Sequence, residues 1–95
     1  MAVASLDQET LGRLMVEQRP RLHRYCARMV GSVFEGEDVV QEALAKAMEA
    51  APATVEIKRP ESWLFRIAHN AALDALRRRR RQRATQSDLD IADAA

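Results

Sequence analysis

Three prolines and three glycines are the only strong backbone breakers in 95 residues. The long stretches between them repeat their apolar side chains at helical spacing. Leu11, Leu14, Met15, Leu22, Tyr25, Cys26 and Met29 fall in such a pattern and predict a first helix. Ser5-Leu6-Asp7-Gln8 fits a capping box ahead of it, with Ser5 as N-cap and Gln8 reaching back. Pro20 lies inside the pattern and predicts a kink or break, because its ring removes a backbone donor and crowds the preceding turn. Gly31 is a natural C-cap. The second helix runs from about Gly36 to Ala51, with Glu35, Glu37 and Asp38 clustered at its positive end. Its predicted buried stripe is Val40, Leu44, Ala47, Met48 and Ala51. Pro52 ends it, and residues 52–59 read as a loop. Pro60 at a first helical position and Glu61 in the first turn open a third helix. There Leu64, Ile67, Ala68, Ala71, Ala75 and Leu76 face the core, and five arginines, Arg77–Arg81, close the helix. From Gln82 onward the chain turns polar and acidic and reads as a flexible tail.

Aromatic residues make up 4% of the chain, so the core must be built from Leu, Val, Ile, Met and many alanines. The one strand-like patch, Val55-Glu56-Ile57, is too short for a sheet. The expected fold is therefore all-α: a compact three-helix bundle over residues 1–83, its first helix kinked at Pro20, with residues 84–95 as a tail or linker. No apolar run approaches the ~20 residues of a membrane span, and the N-terminus lacks the apolar stretch of a signal peptide. A single cysteine forms no internal disulfide, which suits a reducing cytoplasm. Cys26 lies on the core stripe and reads as a small buried hydrophobe.

The net charge of +1 conceals segregation. Residues 35–61 carry seven acids against three bases, whereas residues 62–83 carry seven arginines against Asp74 alone. An acidic helix beside a basic one points to two partners of opposite character. On the third helix, Trp63, Arg66, Asn70, Asp74 and Arg77 follow one another along one side. A ring able to stack on a base, an amide able to read a base edge and guanidinium groups for phosphates then share one rod. The five arginines rotate by about 100° per residue, so some must face water whatever the rest do.

These stretches resemble region 2 of bacterial sigma factors of the sigma-70 family, nearest the extracytoplasmic-function (ECF) group. Glu37-Asp38-Val39-Val40-Gln41-Glu42-Ala43 resembles the D-x-x-Q-E core of region 2.2. Trp63-Leu64-Phe65-Arg66-Ile67-Ala68-His69-Asn70, followed by Asp74-Ala75-Leu76-Arg77-Arg78, resembles the W-L-x-x-I-A-x-N…D-x-L-R-R signature of regions 2.3 and 2.4. Arg19-Pro20-Arg21-Leu22 through Met29 is similar to the region 2.1 helix, so the resemblance covers residues 10–81.

The resemblance implies that helix two docks on the clamp helices of the largest subunit of core RNA polymerase. Asp38, Gln41 and Glu42 match the docking residues, and Ala45 and Glu49 share their face. It also implies that helix three melts and reads the −10 promoter element on the non-template strand. Trp63, Arg66, Asn70 and Arg77 then face DNA, with Arg78, Arg80 and Arg81 from the basic run. In ECF relatives the preceding loop helps form a pocket for a flipped base. Here the loop spans Ala53–Arg59, offers Lys58 and Arg59 to the backbone, and has no aromatic residue. An anti-sigma protein is a further partner of the family, covering the same surfaces. A full ECF factor carries a second helical domain, region 4. Thr85–Ala95 reads as the start of the linker toward it, and promoter recognition by region 2 alone as partial and weak.

Each feature also has a plainer explanation. The acids of helix two fit a solvated face, and Trp63, next to Leu64, fits a core role against helix one. Asn70 inside a strong helical pattern is locally unfavourable, which favours function. His23 and His69 have no neighbour at metal-ligand spacing, and neither a phosphate loop nor a nucleophile–base set is present. The expectation is a non-catalytic domain without cofactor or metal. The alternatives are a helical protein-interaction module without specific DNA binding and a peripheral membrane helix. The thin, alanine-rich apolar face argues against the latter.

Overall fold

The computed structural model describes the backbone of residues 8–51 and 57–94 and the side chains of residues 8–51 and 57–86. Among the described residues there are three helices: α1 (Gln8–Val30), α2 (Val33–Ala50) and α3 (Pro60–Ala94). The expected all-α bundle is the one found. The predicted Ser5 capping box, the pair Val55-Glu56 and most of the loop before α3 lie outside the described residues.

The chain passes through Pro20 within one continuous helix. Proline costs the hydrogen bond to the carbonyl four residues back, here Val16. Pro20 is exposed, and Val16 is 76% exposed. The freed carbonyl therefore lies on a solvent-exposed stretch, where water can supply the missing donor.

Gly31 ends α1 in the left-handed region, at φ +75°. The Gly31 and Ser32 amides both donate to the Ala27 carbonyl, at 2.8 and 3.1 Å, a Schellman-type stop. Ser32 then caps α2, its Oγ accepting from the Glu35 amide at 3.2 Å. The helix therefore starts three residues before the predicted Gly36. The signal was in the sequence, since Ser32-Val33-Phe34-Glu35 has capping-box spacing.

The core joins Leu22, Cys26 and Val30 of α1, Val39, Val40, Ala43 and Ala47 of α2, and Leu64, Ala68, Ala71 and Ala72 of α3. Leu22, Leu64, Val40 and Cys26 are its largest fully buried side chains. The rest is mostly alanine, which lets the helices approach closely. Gly36 carries this furthest. A Cβ added there would lie 2.6 Å from Ala27 Cα, so α1 and α2 meet backbone to backbone.

The buried face of α2 is shifted toward Gly36 from the predicted stripe. Gly36, Val39 and Ala43 are buried, Leu44 is only partly so, and Met48 is 57% exposed. Assigning Met48 to the core was therefore wrong, whereas Val40, Ala47 and Ala51 of the predicted stripe are buried and Leu44 packs against the core.

The sequence predicts that α3 ends near Arg81, but it continues to Ala94. At ~1.5 Å per residue its 35 residues span about 52 Å. Residues 82–94 contain neither Gly nor Pro and are rich in Ala and Gln. Low hydrophobicity there limits burial; it does not forbid helix.

Candidate interfaces on the second and third helices

Asp38, Gln41, Ala45 and Glu49 are exposed on α2, as predicted. None makes a side-chain hydrogen bond or ion pair with another described residue. Two apolar residues that the sequence reading did not assign to this face share it: Phe34, 86% exposed, and Met48. At about 100° per residue, Phe34, Asp38, Gln41, Ala45, Met48 and Glu49 fit an arc of about 100°.

Glu42 stands apart from this row. It is half-buried toward α3, and both of its oxygens are engaged. Arg78 Nη2 donates to Oε2 at 3.1 Å, and Lys46 Nζ lies 3.3 Å from Oε1. The hydrogen bond from Arg78 is the main cause that holds the Glu42 carboxyl below the usual range, with Lys46 adding to it. The same bond raises the Arg78 guanidinium above its ordinary value.

On α3, Trp63, Arg66, Asn70, Asp74, Arg77 and Arg81 fall within an arc of about 80°. Arg66 and Asn70 are exposed and engage no other described residue. Trp63 is half-buried against the core cluster. Lys58 and Arg59 are exposed just before the helix. Asp74 interrupts the row, with Arg77 Nη1 3.2 Å from Oδ1 and Lys46 Nζ 3.6 Å from Oδ2.

The arginine run does wrap the helix. Arg77, Arg80 and Arg81 are exposed, and Arg80 and Arg81 make no ion pair among the described residues. Arg78 and Arg79 turn toward α2, where Arg79 pairs with Glu35. Arg79 was absent from the predicted set. Its helical phase differs from that of Arg77 by two steps of about 100°, but only the position of α2 reveals that Glu35 awaits it.

A second cluster fixes the rotation of α3 against α1. Tyr25 Oη hydrogen-bonds His69 Nδ1 at 2.6 Å and meets the Phe65 ring edge-on, with centroids 5.8 Å apart at 76°. The Arg21 guanidinium lies 5.3 Å over the Phe65 ring, a cation–π contact. On α1, His23 Nε2 lies 3.0 Å from the Val33 carbonyl. A carbonyl only accepts, so Nε2 carries the proton. Arg19 pairs with Glu37 beside it. Both histidines thus serve helix packing. No group of three side chains able to hold a metal occurs among the described residues, and no helix there is long and apolar enough to cross a membrane.

The sigma-70 region 2 family model matches residues 14–82. The chain is 30% identical over 74 residues to the ECF RNA polymerase sigma factor SigW of Bacillus subtilis, covering 78% of this chain and 40% of that protein. It is 42% identical over 64 residues to SigG of Mycobacterium tuberculosis, also an ECF RNA polymerase sigma factor, covering 67% of this chain and 17% of that protein. For SigL of the same organism the identity is 33% over 75 residues, covering 78% of this chain and 42% of that protein. The chain thus spans less than half the length of each of these relatives. No solved structure matches it.

Proposed function

The chain belongs to the sigma-70 region 2 family, ECF group, and from that premise we propose that it is the polymerase- and promoter-engaging domain of a transcription initiation factor. The outer row of α2 docks on the clamp helices of core RNA polymerase. Asp38 and Glu49 supply charge for basic side chains of the partner, Gln41 supplies a central amide, and Ala45 permits close approach. Phe34 and Met48 add apolar contact at the two ends of the row.

Helix α3 engages the −10 element of the non-template strand. Arg66, Arg77, Arg80 and Arg81, with Lys58 and Arg59 before the helix, hold backbone phosphates. Asn70 reads the edge of an unstacked base. Melting follows from capture: stacking lost in the duplex is offset by contacts available only to the opened strand. If three of these six cations contact phosphates at once, the salt slope on a single strand is near −2, at ~0.7 per contact. The half-buried packing of Trp63 favours a supporting role, with one ring edge left for a base. These partners place the domain in the cytoplasm, and an anti-sigma protein covering both faces would silence it.

The observation that carries this reading is the segregation of two chemistries on adjacent helices. Among the described residues, an acidic and amide row without side-chain partners lies on α2, and Arg66 and Asn70, likewise without them, lie on α3. The test is binding to core polymerase by the native chain and by Gln41→Ala and Asp38→Ala/Glu49→Ala forms, with helicity checked by circular dichroism. The expected result is a loss of at least about tenfold in folded variants. Failure of the folded native chain to bind would refute the reading. The engagement of Arg78 and Arg79 by α2 favours one alternative, a protein-interaction module without DNA binding. Single-strand binding that is indifferent to Asn70→Ala would move that alternative ahead.

A further inference from the structure

Arg66 and Asn70, both exposed on α3, each follow directly on an aromatic ring, Phe65 and His69. The two rings stand one turn apart on one side of α3, and Arg66 and Asn70 lie about 100° further round the helix. Three residues of α1, Gln18, Arg21 and Tyr25, stand at i, i+3 and i+7 and clasp the rings. The buried Gln18 accepts from Arg21 Nη1 at 3.0 Å, and the Arg21 guanidinium lies 5.3 Å over the Phe65 ring. Tyr25 meets Phe65 edge-on, and its Oη bonds His69 Nδ1 at 2.6 Å. At this level the buried face of α3 is Ala68, Ala71 and Ala72. Methyl groups let helices approach closely but make shallow ridges, so they resist rotation of α3 about its own axis only weakly. Among the described residues, the ion pairs of α3 with α2 begin at Asp74, about one turn beyond Asn70.

Resting on the proposed function, we infer that Tyr25 is a positioning residue for base recognition: its hydrogen bond to His69 holds α3 at the rotation that presents the Asn70 amide to a base edge. The side-chain tips of a helix lie roughly 5–6 Å from its axis, so a turn of about 10° moves the Asn70 amide by about 1 Å. A preorganised binding group tolerates only ~0.5 Å. Asparagine is short and has few rotamers with which to recover the loss. Arginine is long and rich in rotamers, so Arg66 and Arg77 keep their hold on phosphates through the same turn. Breaking the Tyr25–His69 bond therefore removes selectivity among bases and leaves the grip on the backbone.

The test separates base preference from backbone affinity. Binding to fluorescent single-stranded homo-oligomers of dA, dT and dC, and to an abasic oligomer of the same length and charge, is followed by anisotropy over a range of salt. The forms compared are native, Asn70→Ala, Tyr25→Phe, His69→Leu and the Tyr25→Phe/His69→Leu double variant, with helicity checked by circular dichroism. Asn70→Ala defines the share of base preference that the amide supplies. Tyr25→Phe keeps the ring against Phe65 and removes only the hydroxyl. It is expected to lose the same share, about fivefold between the tightest and weakest base oligomers. Affinity for the abasic oligomer and its salt slope should stay native. His69→Leu breaks the bond from the other side and should match Tyr25→Phe, and the double variant should lose no more than either, because all three remove one interaction. A base preference that survives in Tyr25→Phe and His69→Leu, or a loss that the abasic oligomer shares, overturns the inference and leaves the proposed function standing. A native chain whose base preference is unchanged by Asn70→Ala overturns base reading by Asn70 and the inference with it.

Discussion

Replacing Gly36 by alanine tests the close approach that sets the position of α2. In a free helix this change is favourable by about 1 kcal/mol, because alanine has the higher helix propensity. In this bundle the new Cβ would lie 2.6 Å from Ala27 Cα, 2.7 Å from Ala27 N and 2.9 Å from Ala27 Cβ, against 3.4–4 Å for ordinary contact. The first two are backbone atoms, so no rotamer change relieves them. The helices must therefore separate by about 1 Å at this crossing. A gap of that size forfeits roughly a quarter to a half of the dispersion energy of each opened contact, in a core cluster that includes Cys26 and Val30 of α1 and Val39 and Val40 of α2. Overpacking costs ~1–3 kcal/mol, and because the atoms met are backbone the upper part, ~2–3 kcal/mol, applies and exceeds the propensity gain. We expect a net loss of about 1–2 kcal/mol, which for a domain of this size lowers Tm by roughly 4–16 °C. Urea and thermal unfolding followed by circular dichroism measure it. Gly12→Ala is the internal control, since a Cβ there meets nothing within 4 Å, and it should gain about 0.4–1 kcal/mol. If Gly36→Ala were as stable as the native chain while Gly12→Ala behaved as expected, the backbone-to-backbone packing argument would be refuted.

Two further outcomes follow from the same structure. Burial pushes the Cys26 thiol up to about 11. The unfolded chain ionises near ~8.5, so stability is full below that pH and falls as pH rises from there to about 11, a slope that Cys26→Ala should remove. The thiol should also resist alkylation in the folded chain at pH 8, and rapid labelling without unfolding would contradict its burial. Ser32→Ala deletes the N-cap of α2 and should cost about 0.5–2 kcal/mol, whereas Ser32→Asp should restore most of it. Equal stability of all three forms in urea would show that the cap contributes nothing.

Much of the architecture is legible in residue order. Gly31 stops α1, Pro60 opens α3, and the Leu64, Ala68 and Ala71 face is buried as its period predicts. Local chemistry decides these features, since caps, breakers and apolar periodicity act within a few residues. The start of α2 was also legible, in the spacing of Ser32 and Glu35, although the charge cluster further on drew the prediction to Gly36. The candidate site was legible as a set of side chains on two faces. It was less legible as a state of those side chains, because Glu42 and Arg78 look available on a helical wheel, whereas the core role of Trp63 was one of its two expected readings.

What the sequence alone determined is thus the helical alphabet of the chain: three helices, their apolar faces, an acidic α2 and a basic α3. What the tertiary structure decided is how those faces meet. Gly36 lets α1 approach α2 at Ala27, Met48 faces outward, and Glu35 and Glu42 meet arginines of α3. The arginine run then divides into side chains left to solvent and a pair held by carboxylates 36 and 44 residues earlier in the chain. Helical periodicity fixes the direction of a side chain relative to its own axis. Only the packing of a second helix fixes what lies in that direction, and backbone contact at a glycine is the strictest form of that constraint.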